Sequence, residues 1–398
     1  MSDRPLSAIK VLEFTHAVMG PSCGVILADL GAEVIHIEPP EGDSTRRLKG
    51  FGTGYFTYFN RNKKSLAVDI KSPPGRELIL SLIGKADALV ENFGPGTMDR
   101  IGYGYDVARK LNPRLVYCSL KGFNEGPYEQ RPAMDEVVQI MGGLAYMTGP
   151  SGHPMRAGTS IVDITGGMFG AIAILAALRQ REQTGQGQLV RAALFETTAF
   201  LMGQHMAYSA ISKETVPPMP ERVSAWSVYR TFESSDNEIV FIGLVSDKHW
   251  QRFCDKFERN DLFADRRLTT NNDRIRERNW LLPDLEQTLR RMTKAQIIER
   301  CEAANIPFAP VARPEDLFDD PQLNYGPGML QTRLPGGDTV KLPRLPLCME
   351  DVDLGLYRQP PVIGNDTRAI LQDLGLHASQ IDELVRQKVV VCSDDMTA

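Results

Sequence analysis

Asp163 is the residue of this chain best suited to act as a nucleophile without a partner that removes a proton. An aspartate has a reference pKa near 3.9, so it is ionised at neutral pH and could attack an acyl carbon directly. Asp163 also opens a segment, residues 163–183, whose apolar residues recur at helical spacing. An aspartate at such a position is an ordinary N-cap, which stabilises a helix by about 0.5–2 kcal/mol. The pattern alone favours the cap over the nucleophile.

A serine motif lies earlier in the chain, at Gly20–Gly24. Its Gly-x-Ser-x-Gly spacing matches the nucleophile elbow of hydrolases, which needs the serine on a tight turn directly after a strand. Here several residues separate the strand-like segment ending at Phe14 from Gly20, and Pro21 stands beside the serine. The segment instead predicts the start of a helix with Ser22 near its cap.

No pattern predicts a metal or a permanently bound cofactor. The six histidines and six cysteines lack the paired spacing of a metal site, and no glycine-rich loop for a dinucleotide or nucleoside triphosphate is present. The cysteines also form no disulfide framework, so we expect reduced thiols and a cytoplasmic location. The short basic segment Asn60–Lys64 is interpreted as a solvated loop, with a phosphate contact as the alternative.

Charge and hydropathy narrow the range of partners. The formal net charge is -5 and no long basic block is present, which argues against binding to nucleic acid. The N-terminus lacks the charged and apolar regions of a signal peptide. The longest apolar segment, residues 168–178, is too short to cross a bilayer. We therefore expect neither nucleic acid nor a membrane as a partner.

Strand-like and helix-like patterns alternate in the first third of the chain. A helix is predicted from residue 23 to residue 30, and helical segments separate the other strands. Such alternation indicates an α/β fold with a parallel sheet and helices packed on it. The predicted strands span residues 9–14, 33–37, 65–70, 87–91 and 115–120.

The proline-rich segment Val216–Pro220 predicts a domain boundary. A helix over residues 194–207 precedes it, and a last helix, residues 367–374, is expected to pack back onto the first domain. Between them the pattern predicts two strands, residues 227–232 and 238–245, and two helices, residues 285–292 and 294–304.

Several segments form an ordered pattern along nearly the whole chain. They are residues 11–16, 20–21 and 28–38, then 62–66 and 90–96, then 156–166 and 184–188, and finally Pro360–Gly364. Together they resemble the class III CoA-transferase family, also called the CaiB/BaiF family, which includes formyl-CoA and carnitine-CoA transferases.

The resemblance implies a two-domain architecture. The large Rossmann-like domain would combine residues 1–215 with 325–398, and a smaller α+β domain would span residues 216–324. An interlocked homodimer is also implied, in which each chain forms a ring through which the other passes. Coenzyme A would enter as the substrate acyl-CoA, and a free carboxylic acid would accept it.

The resemblance also assigns site residues. Asp163 would be the nucleophile, and CoA would move to the acceptor through an aspartyl anhydride and an aspartyl-CoA thioester. Excluding water would matter, because an anhydride hydrolyses readily. The positions implied to contact CoA are Ala17, Val18, Val68, Lys71, Asn92, Phe93, Arg100, Met134 and Asp135.

The chain departs from the family pattern in four places. The Asp163–Gly166 segment is one residue tighter than the family's Asp-x-x-Thr-Gly. Pro39 replaces a cationic residue that some relatives carry after the second strand, and Met134 replaces a tyrosine. No glycine-rich lid sequence lies between Ser209 and Trp226. We therefore expect phosphate contacts and water exclusion to be arranged differently here.

His16 and Arg156 are the candidates for contact with the substrate acid, because both can carry positive charge. His16 could instead make a structural hydrogen bond, and Arg156 could pair with a surface acid. A small dicarboxylate is the favoured acceptor, because both candidates are basic and because some members of the family use succinyl-CoA.

The sequence also offers two alternative functions. Acyl-CoA racemases share the fold but place a histidine in the loop that here spans Arg131–Asp135. Met134 cannot act as an acid or base, which argues against racemisation. A non-catalytic CoA-binding subunit is the second alternative, although such subunits often lose the nucleophile and this chain keeps Asp163.

Overall fold

The computed structural model describes residues 4–221 and 224–393. Its strands are β1 (Lys10–Phe14), β2 (Glu33–Glu38), β3 (Lys64–Val68), β4 (Ala88–Glu91), β5 (Val116–Lys121), β6 (Leu189–Ala193), β7 (Val228–Glu233), β8 (Ile239–Leu244), β9 (Phe308–Pro310), β10 (Met329–Arg333), β11 (Thr339–Pro343) and β12 (Val390–Val391). Its α-helices are α1 (Met19–Asp29), α2 (Tyr55–Phe59), α3 (Pro73–Lys85), α4 (Thr97–Ile101), α5 (Tyr105–Leu111), α6 (Asp135–Met141), α7 (Leu144–Thr148), α8 (Ile161–Thr184), α9 (Leu194–Ser212), α10 (Asp247–Lys256), α11 (Asn260–Ala264), α12 (Asn271–Arg276), α13 (Arg278–Leu289), α14 (Lys294–Ala304), α15 (Thr367–Asp373) and α16 (Ala378–Arg386).

A seven-stranded sheet organises the larger part of the chain. Its strand order is β12-β3-β2-β1-β4-β5-β6, and every neighbouring pair is parallel except β12 with β3. The order 3-2-1-4-5-6 is that of the Rossmann fold, in which ligands bind beyond the carboxyl ends of the strands where the order reverses. The predicted α/β fold with a parallel sheet is therefore confirmed, and the switch point lies between β1 and β4.

Apolar side chains cover both faces of this sheet. One core joins α1 and α8 to the sheet and includes Leu27 and Ile174. The other packs α3, α15 and α16 against the opposite face and includes Ile79 and Leu371. Because both faces are buried, the parallel strands read as continuous apolar runs rather than as alternating patterns.

Helix α8 is the longest helix in the part of the chain that the structure describes. With 24 residues, it is also long and apolar enough, by composition alone, to cross a bilayer. The uninterrupted apolar run of residues 168–178 is only the middle part of this helix. In the structure α8 packs against α1, and residues such as Val162 and Ile174 are buried in the core.

The chain forms two compact units. The first contains the described residues up to Pro220 and those from Pro321 onward, including the large sheet and the β10–β11 hairpin. The second contains the described residues between Glu221 and Asp320. Its antiparallel sheet, in the order β7-β8-β9, packs against helices through a core centred on Trp250 and Phe253.

The basic segment Asn60–Lys64 is not a solvated loop, and this prediction is wrong. Arg61 pairs with Asp29 at 2.7 Å, and Lys63 pairs with Glu13 at 2.8 Å. All four of these side chains are buried. A buried charge that lacks a partner is strongly destabilising, which explains why each one meets an opposite charge. The alternative of a phosphate contact is also unsupported, because these cations are already engaged inside the fold.

Candidate active site

Asp163 lies in the first turn of α8, two residues after the first helical residue, Ile161. The N-cap residue is Ser160, whose side chain makes no capping hydrogen bond. Among the described residues, no hydrogen bond or ion pair engages the Asp163 carboxylate. The interpretation of Asp163 as an N-cap is therefore wrong, and its side chain is left available for chemistry.

Asp135 caps α8 from another helix. Its Oδ2 accepts the backbone N–H of Val162 at 2.8 Å and that of Asp163 at 3.1 Å. The other carboxylate oxygen accepts a hydrogen bond from the side-chain amide of Gln139, whose Oε1 in turn accepts the N–H of Ala157 at 2.9 Å. Asp135 and Gln139 are buried. This network fixes the loop before α8 and the first turn that carries Asp163.

Burial raises the pKa of Asp163 to about 7, and the nearby negative charge of Asp135 adds to the effect. The expectation that Asp163 is fully ionised at neutral pH therefore needs correction. Burial removes the water that would stabilise the carboxylate anion, and a second carboxylate repels it. At pH 7 about half of the Asp163 side chains would be ionised. A nucleophile whose pKa lies near the working pH is both available and more basic than an ordinary aspartate.

A cleft opens at the carboxyl ends of β1, β2 and β3, beside the switch point of the sheet. Its volume is about 560 Å³. Four predicted site residues line it, namely His16, Val68, Lys71 and Phe93. The two loops after β1 and β4 meet here, as the strand order of the sheet requires.

The loop after β1 is held by Asn92. The Asn92 carboxamide accepts the N–H of His16 at 3.0 Å and donates to the carbonyl of His16 at 2.9 Å. Ala17 has φ of 61°, a left-handed conformation that costs a non-glycine residue roughly 1 kcal/mol. The rings of His16 and Phe93 stack, with centroids 5.7 Å apart. Asn92 therefore shapes the loop with its side chain, while Phe93 and His16 form an aromatic wall of the cleft.

Val18 connects this loop to the helix that carries Asp163. It is buried in a small cluster that includes Ile164, the residue after Asp163. Farther along, α1 and α8 approach closely at Gly167, where a Cβ atom would lie 2.6 Å from the carbonyl oxygen of Met19. The Asp163 turn thus lies beside the loop that borders the cleft, and contacts on both helices fix this arrangement.

The remaining predicted site residues lie on the surface. The Arg100 guanidinium donates to Thr97 in the short helix α4, and it does not line the cleft. Met134 is exposed and precedes Asp135 at the start of α6. Arg156 is exposed and pairs with Glu136 on α6. Arg156 therefore pairs with a surface acid, which was the alternative to its role as a substrate contact. Its partner Glu136 directly follows Asp135 in the sequence.

Two basic residues of the cleft were not predicted, Arg47 and Lys388. Arg47 ends a 3₁₀ helix, Ser44–Arg47, and Lys388 precedes the two-residue strand β12. Neither element has a periodic pattern, so only the long-range pairing of β12 with β3 brings Lys388 to this place. In the part of the chain that the structure describes, no cluster of acidic, histidine and cysteine side chains is suited to a metal ion.

Comparison with known proteins identifies the family to which the chain belongs. The profile of CoA-transferase family III matches residues 6–367. The chain is 31% identical to a succinyl-CoA:mesaconate CoA-transferase of Haloarcula hispanica, over 93% of this chain and 96% of that protein. It is also 31% identical to the formyl-CoA:oxalate CoA-transferase of Streptomyces coelicolor, over 98% and 100% of the two chains. The crystal structure of a CaiB/BaiF family protein from Brucella suis superposes with a TM-score of 0.85 and 31% identity, covering 94% of this chain and 100% of that one. The chain belongs to CoA-transferase family III and is an enzyme with CoA-transferase activity that uses CoA thioesters as substrates.

Proposed function

We propose that Asp163 carries the CoA group from an acyl-CoA donor to a carboxylic acid through covalent intermediates. An Asp163 oxygen attacks the thioester carbonyl carbon, the carbon–sulfur bond breaks, and CoA leaves as the thiolate. The thiolate then attacks the Asp163 carbonyl of the mixed anhydride, which forms an aspartyl-CoA thioester and releases the donor acid. The acceptor carboxylate then attacks the aspartyl-CoA thioester and displaces the CoA thiolate, which forms a second mixed anhydride. The thiolate attacks the acceptor carbonyl of this anhydride, so that the new acyl-CoA forms and Asp163 returns as a free carboxylate.

One observation carries this proposal. Asp163 is partly buried, and no partner in the described part of the chain engages its carboxylate. Its helical turn is held by the hydrogen bond to Asp135 and by the packing of Ile164 against Val18, which follows the loop at the cleft. A carboxylate needs no histidine to activate it, and its raised pKa near 7 makes it a stronger base than a solvated aspartate. Met134, in the neighbouring loop, offers no acid or base, which favours CoA transfer over proton exchange at the carbon next to the thioester.

The acceptor is proposed to be a small dicarboxylate. The two relatives described above are named for mesaconate and oxalate, which are both dicarboxylates. His16 is exposed at the cleft, and Arg156 pairs with Glu136 close to Asp135. One carboxylate of the acceptor would react at Asp163, and the other would replace Glu136 as the partner of Arg156 or would meet His16.

Mass spectrometry and exchange assays test the covalent step. Incubation with acyl-CoA should add CoA, less one water, to the intact protein at the peptide that contains Asp163. Asp163→Ala and Asp163→Asn should abolish both the adduct and the transfer of CoA to a panel of carboxylates. Asp106→Asn is a matched control, because Asp106 is an exposed aspartate in the first turn of α5. Full transfer by the Asp163 variants would reject the assignment.

We also propose that the chain acts as a homodimer. The outer faces of α8 and α9 expose Met168, Ile172, Phe200, Met206 and Ile211, the last with 83% of its surface accessible. An exposed apolar surface of this kind is typical of a protein–protein interface. Light scattering should give twice the mass of the chain. A folded monomer that retains full activity would contradict the proposal.

A further inference from the structure

Three basic side chains, Arg47, Lys71 and Lys388, line the cleft from three separate segments of the chain. We propose that Arg47 and Lys388 join Lys71 in binding the phosphate groups of CoA, so that the C-terminal segment forms part of the nucleotide site. This inference rests on the proposed function in one respect, namely that CoA binds in this cleft. It is independent of whether Asp163 reacts covalently.

The fold fixes the position of Lys388. Residues 390 and 391 pair antiparallel with Val68 and Ala67, and the N–H of Asp69 donates to the carbonyl of Val389 at 2.7 Å. This ladder brings Lys388 beside the end of β3, close to the segment that leads to Lys71. Lys388 has φ of 57°, a conformation that glycine or asparagine would adopt at lower cost. The pairing of β12 with β3 thus sets the place of Lys388 at the cleft.

The charges of the three cations are available for a ligand. No carboxylate in the described residues forms an ion pair with Arg47, Lys71 or Lys388. The Arg47 guanidinium donates to the backbone carbonyls of Glu41, at 2.7 Å, and Gly42, at 3.4 Å. These contacts orient the guanidinium without neutralising it. A guanidinium held in this way suits a phosphate oxygen pair, and a lysine offers a flexible point charge.

The acids of the cleft wall are partly neutralised from inside the protein. Glu38 pairs with Arg46 at 2.6 Å, and Asp43 lies 3.3 Å from the ring of His36. Glu41 and Asp69 remain, and the Asp69 carboxylate accepts the N–H of Lys71. The three cations therefore outnumber the unpaired carboxylates at the cleft. A phosphate monoester carries about 1.5 to 2 negative charges at neutral pH, so the 3′-phosphate of CoA would gain most from this excess.

Calorimetric titration with three probes tests the inference on the full-length chain. CoA carries all the phosphates, dephospho-CoA lacks the 3′-phosphate, and pantetheine carries none. Lys388→Gln and Arg47→Gln should each weaken CoA binding about fivefold, the size of one partly exposed charge contact, and should leave pantetheine binding unchanged. A smaller loss with dephospho-CoA would assign the contact to the 3′-phosphate, and an equal loss would assign it to the diphosphate.

Arg386→Gln is the matched control, because Arg386 is an exposed cation of α16 that pairs with Glu383 and does not line the cleft. Lys388→Arg should retain CoA affinity. Unchanged CoA affinity in both glutamine variants, or an equal loss of pantetheine affinity, would overturn the inference. Asp163→Ala should bind CoA like the unsubstituted protein, so a failure of the covalent proposal would show in the adduct and not in these titrations.

Discussion

The carboxylate of Asp135 accepts the backbone N–H of Asp163, with 3.1 Å between Asp135 Oδ2 and the Asp163 nitrogen. One acid therefore holds the helix start while the adjacent acid keeps a free side chain. The same contact brings a negative charge close to Asp163 and adds to the effect of burial on its pKa. Asp135 thus positions the proposed nucleophile and, after burial, is the second cause of its raised pKa.

The rate of CoA transfer should rise with pH through about 7. Asp163 attacks only when it is deprotonated, and burial raises its pKa to about 7, with Asp135 as the second cause. The rate at saturating substrates should therefore fall below this pH in proportion to the ionised fraction of Asp163. Steady-state kinetics from pH 5 to pH 9, at constant ionic strength, would measure the midpoint of this pH dependence. A midpoint near 4 would show that the carboxylate is solvated in the working enzyme.

Asp135→Asn should move this midpoint to lower pH. The asparagine keeps an oxygen that can accept the N–H groups of Val162 and Asp163, but it removes the charge that repels the Asp163 anion. Burial remains, so the midpoint should stay above that of an ordinary aspartate. Asp106→Asn, on the exposed first turn of α5, should leave the profile unchanged. An unaltered midpoint in Asp135→Asn would leave burial as the sole cause of the shift.

Asp163→Asn should stabilise the fold at alkaline pH. Because the pKa of Asp163 is higher in the folded state than in the unfolded state, ionisation between about pH 4 and pH 7 costs folding free energy. The neutral asparagine avoids this cost. We expect a gain of about 1–2 kcal/mol in the free energy of unfolding at pH 8 and almost none at pH 4. Urea denaturation at the two pH values would measure it, and an equal effect at both would contradict the linkage.

The apolar pattern was sufficient to predict most of the sheet. Strands β1 to β5 follow the predicted runs within a few residues, because parallel strands covered on both faces are continuously apolar. Strand β6 was missed because it runs directly into α9 without a turn between them. Helix α13 begins at Arg278, well before the predicted residue 285, and it contains Pro283, a residue that normally interrupts a helix.

Polar residues were harder to place than apolar ones. Lys63 looks like a surface residue in the sequence, and its partner Glu13 is 50 positions away. Asp163 resembled an N-cap because the acid that performs this role, Asp135, belongs to another helix. Local patterns contain no information about such distant partners. The family resemblance supplied the role of Asp163, but it could not indicate that Lys388 reaches the cleft through β12.

Gly167→Ala should loosen the contact that positions the Asp163 helix. The added Cβ would lie 2.6 Å from the carbonyl oxygen of Met19 and 2.7 Å from the side chain of Ser22, so α1 and α8 would have to separate. Overpacking of this kind costs typically about 1–3 kcal/mol. Thermal unfolding should show the loss. Gly84→Ala is the control, because the space around Gly84 in α3 is open and alanine favours helix.

The buried His36 should make the fold sensitive to alkaline pH. Its Nδ1 lies 3.1 Å from Glu13, and its Nε2 lies 3.3 Å from Asp43. Burial disfavours the charged ring, but the contacts with the Asp43 and Glu13 carboxylates outweigh burial, and the negative charge of Glu38 adds to them. Together they raise the pKa of His36 from 6.5 to about 9. His36 is therefore protonated at neutral pH and holds Asp43 in the cleft wall.

Because the pKa of His36 is higher in the folded state, its stabilisation is fully present below pH 6.5 and is lost as the pH rises through 9. The free energy of unfolding should decline across this range, and His36→Gln should decline less. Lys63, whose pKa burial lowers, is present in both proteins and shares Glu13 with His36, so the difference between the two proteins reports on this network. His153→Gln, at an exposed histidine, should follow the unsubstituted protein. Parallel declines in all three proteins, measured by urea denaturation, would mean that His36 is not charged in the folded state.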